Sequence, residues 1–112
     1  MQELRENLKE YLFTQYNVDD IKKQLFNEIG FEFKRAEKIT RLQRIEFVIY
    51  KIAQWLRGLP LNLPYKRTDI YNLMYSFGYE GEEFEAEELF YDLLAGIILD
   101  ATKPKIKDVE YL

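Results

Sequence analysis

The residues with the most chemistry to offer are the carboxylates of YEGEEFEAEELFYD, residues 79–92, a stretch with seven acids and no lysine or arginine. Glu82 and Glu85 stand three apart, and so do Glu85 and Glu88. On a helix this spacing puts two carboxylates one turn apart on one face, an arrangement of oxygen ligands that suits Mg²⁺. Other chemistries lack their parts. The chain has no histidine, the commonest general base and metal ligand. It has no cysteine, which excludes disulfides and thiolate metal sites. Its one serine, Ser76, has no histidine to activate it. The five glycines are scattered as stops and turns and form no phosphate-binding loop. No catalytic residue, cofactor or metal centre is expected.

The Glu82, Glu85 and Glu88 spacing resembles half of the metal motif of the all-helical nucleotide pyrophosphatases of the MazG type. That resemblance implies a second pair, Glu-x-x-Asp, on a following helix. Here Asp92 and Asp100 stand singly, eight residues apart, so a metal-dependent nucleotide hydrolase is the least favoured reading. Di-iron carboxylate bundles need Glu-x-x-His and are excluded with histidine. A second resemblance lies at WLRGLPLNLPY, residues 55–65, followed by DIYNLMYSFG. This looks like the Trp-Leu-x-Gly-Leu-Pro…Pro-Phe/Tyr pattern in small uncharacterised helical proteins of bacterial mobile elements. It covers residues 55–78 and implies an accessory protein, without a mechanism to transfer.

The charges are sorted along the chain. Residues 34–67 carry nine basic residues against Glu37 and Glu46, and residues 69–100 carry nine acids and no base. The net charge of −4 thus conceals a stretch of +7 beside one of −9. One explanation is folding: the acidic helix packs beside the basic one, and acids near a helix start favour its dipole. The other is a contact surface. Glu80, Glu82, Glu83, Glu85, Glu87, Glu88 and Asp92 are its candidate residues. The alternative face is basic: Arg44, Lys51 and Trp55 fall on one side of a helix at about 100° per residue, with Arg41 nearby, a stripe that could meet phosphates. The competing reading packs Trp55 into the core and leaves the bases as a solvated face.

These residues need elements to hold them, and the apolar spacing is helical almost throughout. Leu4, Leu8, Tyr11, Leu12 and Tyr16 mark a first helix. Asn17 is placed to cap a second, which Gly30 would close, with Ile21, Leu25 and Ile29 on its buried face. FEF at 31–33 reads as a short extended link. A long helix is then expected from about Lys34 to Arg57, with Leu42, Ile45, Ile49, Ile52, Leu56 and Leu59 as its packed seam. Pro60 and Pro64 forbid regular helix between, where Leu59, Leu61 and Leu63 can pack back. Thr68 is expected to cap a fourth helix that Gly78 stops. A fifth starts near Glu82 or Glu83 and reaches Ala101, with Phe84 fastening its first turns to the core. Pro104 ends regular structure, leaving KIKDVEYL as a loose tail or short edge strand.

The expected fold is all-α, a compact bundle of about five helices, with residues 1–103 as one domain and 104–112 as a tail. QELRENLKEY is too polar for a secretory signal, and no apolar run is long enough to cross a bilayer. The expectation is a cytoplasmic, non-enzymatic interaction module that binds a protein partner or a second copy of itself and no membrane. Nucleic acid is the less favoured partner. A helix-turn-helix over 68–95 would turn Glu85, Glu87, Glu88 and Asp92 toward phosphates. Two alternatives stay open: a nucleic-acid-associated protein using the basic helix, or an acidic mimic of nucleic acid that inhibits a nucleic-acid-binding protein.

Overall fold

Five helices make up the described residues of this computed structural model, which comprise 2–36, 41–58 and 63–102, with side chains for 3–28, 46–58 and 63–102. They are α1 (Gln2–Gln15), α2 (Val18–Ala36), α3 (Arg41–Gly58), α4 (Arg67–Ser76) and α5 (Glu83–Thr102). The all-α expectation holds: no described residue is in a strand.

Helix α5 is the centre of the bundle, because it packs against α1, α2, α3 and α4, while α2 also packs on α3. Its sequence explains the position. From Leu93 the run LLAGIIL is apolar on every side, and Leu94, Ala95, Ile97, Ile98 and Leu99 are all buried. A helix apolar all round must be covered all round. The first half of α5 is different, with Ala86, Phe90 and Tyr91 turned inward and the acids turned out. Leu4, Leu8 and Leu12 of α1, Ile21 and Leu25 of α2, and Ile70 and Met74 of α4 complete one contiguous core. Each such aliphatic side chain contributes about 1.5–3 kcal/mol on burial.

Local signals set several boundaries. The Asn17 Oδ1 accepts the Asp19 N–H at 2.8 Å, and its carbonyl accepts the Ile21 N–H at 3.1 Å. It is therefore the N-cap of α2, as its residue type suggests. Helix α4 ends in a Schellman arrangement: the Gly78 N–H donates to the Tyr75 carbonyl and the Tyr79 N–H to the Met74 carbonyl. Gly78 sits at φ 110°, which a residue with a Cβ adopts only under strain.

Other expectations are corrected. FEF is not an extended link, and Gly30 does not stop α2; the helix continues through both to Ala36. Mid-helix glycine costs only about 1 kcal/mol, less than the backbone bonds of another turn and a half are worth in context. Lys34, Arg35 and Ala36 accordingly end α2, and α3 begins at Arg41. Thr68 does not cap α4, which starts one residue earlier with Lys66 at the cap position and no side-chain hydrogen bond there. The buried face of α3 also differs from the expected seam. Ile52 and Leu56 are buried and Ile49 is half-buried, but Val48, Ala53 and Trp55 join them. Leu63 packs on the core. The side chains of Ile29, Leu42 and Ile45, together with Leu59, Leu61 and the tail at 104–112, lie outside the described residues.

Candidate functional site

The acidic stretch is displayed by a rigid start to α5. Tyr79 follows the α4 stop and is only 6 % exposed. Its hydroxyl donates to the Glu82 carbonyl at 2.6 Å, and that carbonyl also accepts the Glu85 N–H at 3.2 Å. The Tyr79 ring meets Tyr71 edge-on at 6.2 Å. Gly81 lets the ring lie this close, since a Cβ there would come within 2.6 Å of the Tyr79 Cζ. Burial, then Glu85 and Glu82, push the Tyr79 phenol above its ordinary pKa of 10.0. This latch does the fastening expected of Phe84, whose side chain is instead 65 % exposed. The reason is position: Ala86 and Phe90 already hold the inward face, and Phe84 lies more than a quarter-turn away from both.

Glu80, Glu82, Glu83, Glu85, Glu88 and Asp92 are exposed, and Glu87 is half-buried. At about 100° per residue, Glu85, Glu88 and Asp92 form a single stripe, while Glu87 falls beside the buried face. Glu87 is accordingly the one that finds a base, with its Oε1 3.6 Å from the Arg57 guanidinium of α3. Arg57 also lies over the Tyr91 ring, 4.6 Å from its centre. None of the other six acids makes an ion pair with a described residue. Burial, then Glu88, raise the Asp92 pKa above 3.8, against the opposing pull of Arg57. Burial and Glu87 likewise raise Tyr91.

The stripe borders two grooves. One lies between α3 and α5 and is lined by Tyr50, Ala53, Gln54, Arg57, Glu88 and Asp92. The other, on the latch side, is lined by Tyr79, Gly81, Glu85, Glu88, Leu89 and Asp92. Glu88 and Asp92 form the ridge between them. Tyr50 is 60 % exposed, and only the structure places it beside the acids. Among the described residues, no three acidic side chains converge closely enough to hold a metal ion.

Of the two readings of the basic stripe, the structure bears on its aromatic residue and favours the one that places Trp55 in the core. Trp55 is 8 % exposed and belongs to the core. Its indole N–H has no hydrogen-bond partner among the described residues, a cost outweighed by the area the ring buries. Lys51 is half-buried, with its ammonium 5.5 Å from the Phe47 ring centre and 5.9 Å from that of Tyr50. Arg41 and Arg44 lie on the described backbone of α3, and their side chains fall outside the described residues. Among the described residues, no helix is long and apolar enough to cross a membrane. No protein-family model, curated protein or solved structure matches the chain.

Proposed function

We propose that this chain is a non-enzymatic accessory module of the cytoplasm that binds a basic protein partner through the outer face of α5. One observation carries the reading. Helix α3, from the basic segment, packs directly against α5, yet six of the seven acids make no ion pair with a described residue. Had the charges been sorted only to join the two helices, the acids would be spent on those bases. The helix dipole does not account for them either, because it fades after the first turn and Glu88 and Asp92 lie beyond it. Like charges four apart, as these two are, cost a helix about 0.2–0.5 kcal/mol. A basic partner would turn that repulsion into attraction.

The resemblance of residues 55–78 to accessory proteins of mobile elements fits this role. Burial of Trp55 weakens the case for a nucleic-acid surface on α3, because the aromatic of the stripe is not available to stack. Acidic mimicry of nucleic acid is a special case of the same reading, in which the basic partner is itself a nucleic-acid-binding protein. The test is capture of partners from lysate by the tagged chain, with and without nuclease, beside the variant Glu82→Gln, Glu85→Gln, Glu88→Gln. A discrete protein that survives nuclease and is lost with the folded triple variant is expected. Equal capture by the triple variant would remove α5 as the site.

A further inference from the structure

We propose that the groove between α3 and α5 seats one arginine side chain of the partner, stacked against Tyr50 and paired with Glu88 and Asp92. This rests on the reading of α5 as the contact face and adds a pocket to it. The groove measures about 330 Å³. That is at the small end of the range of about 300–1,000 Å³ for small-molecule sites, a scale suited to a side chain rather than a cofactor.

Its lining is matched to a guanidinium. Tyr50 brings an aromatic ring that the bundle does not bury, and an exposed tyrosine face attracts cations. Lys51 of the same helix already lies within range of that ring. Gln54, exposed beside it, offers an amide oxygen as a further acceptor. Glu88 and Asp92, one turn apart, supply two carboxylates without ion-pair partners among the described residues. Among the described residues two cations lie near the groove: Arg57, engaged by Glu87 and Tyr91, and Lys51, which lies over the Phe47 and Tyr50 rings. Against Glu87, Glu88 and Asp92 they leave the described surroundings net negative. Arginine suits this lining better than lysine because its flat guanidinium can stack on a ring and fork to carboxylates together, whereas an ammonium is a hydrated point charge. The groove also continues into the acidic stripe through Glu88 and Asp92, so one basic segment can occupy both.

The probe is a nona-arginine peptide, with nona-lysine as comparator, titrated into the ¹⁵N-labelled full chain. Saturable amide shifts are expected at Tyr50, Ala53, Gln54, Glu88 and Asp92, with the arginine peptide binding several-fold tighter. Gln54→Lys would place an ammonium in the groove, and Asn72→Lys would add the same charge at an exposed position on α4. The first should weaken nona-arginine binding by about tenfold and the second far less, since proximity decides the effect of a charge. Shifts confined to Glu80–Glu85, or equal losses in the two lysine variants, would overturn the groove assignment and leave the acidic face standing. Absence of any shift would overturn the groove assignment, and the lysate capture with the triple glutamine variant then judges the face independently.

Discussion

Replacing Gly81 with alanine should destabilise the protein only while Tyr79 is present. The Gly81 backbone is not in the left-handed region, where among described glycines only Gly78 is found, so the added methyl brings no dihedral strain. Its cost is steric: the new Cβ would lie 2.6 Å from the Tyr79 Cζ and 2.8 Å from Cε1. The ring cannot yield cheaply. It is buried, it meets Tyr71 edge-on, and its hydroxyl is tied to the Glu82 carbonyl. Overpacking of this kind costs about 1–3 kcal/mol. Tyr79→Phe, which removes only the hydroxyl bond, should cost about 0.5–1.5 kcal/mol. Tyr79→Ala should cost about 3–5 kcal/mol by analogy with other buried aromatics. In the Tyr79→Ala background the methyl at position 81 meets no ring, so Gly81→Ala should become neutral or stabilise by up to about 1 kcal/mol, as fewer unfolded conformations remain. The coupling energy between the two sites should therefore be about 1–3 kcal/mol. Urea unfolding followed by far-ultraviolet circular dichroism measures it, provided the slope is unchanged among variants. Simple additivity of the two substitutions would refute the latch as the element that holds the start of α5.

Two further outcomes follow from the core and the stripe. Leu56→Asp sets a charge at a 3 % exposed position of the core and should abolish cooperative unfolding; a cooperative melt would mean that the buried face of α3 is misassigned. Asp92 is harder to ionise in the folded chain than in the unfolded one, so its charge works against folding at neutral pH. Asp92→Asn should therefore raise stability at pH 7, and the advantage should vanish as pH falls below 3.8, where both states carry the proton. Denaturant midpoints at pH 7 and pH 3 read this directly, and an advantage that grows with acid would reverse the assigned sign.

Most of the helical frame was legible in the chain because its signals are local. Leucines three and four apart marked α1, Asn17 marked the start of α2, and Gly78 marked the end of α4. The acidic run was also legible as the start of α5, since carboxylates before an apolar helix need no tertiary partner to be recognised. What spacing does not contain is which of two neighbouring apolar positions the bundle will cover. Phe84 and Tyr79 are both aromatic residues near the same helix start, yet only Tyr79 reaches Tyr71 and the Glu82 carbonyl, because the α4 stop turns it inward. Trp55 shares a helical side with lysine and arginine in projection, but the packing of α3 on α2 and α5 takes it into the core. FEF reads as strand-like in isolation and is carried into α2 by its context. The α3–α5 groove has no counterpart in the linear sequence. Tyr50 and Asp92 are 42 positions apart and become neighbours only when the apolar second half of α5 is enclosed by the other helices, which leaves its charged first half beside α3 and open to solvent.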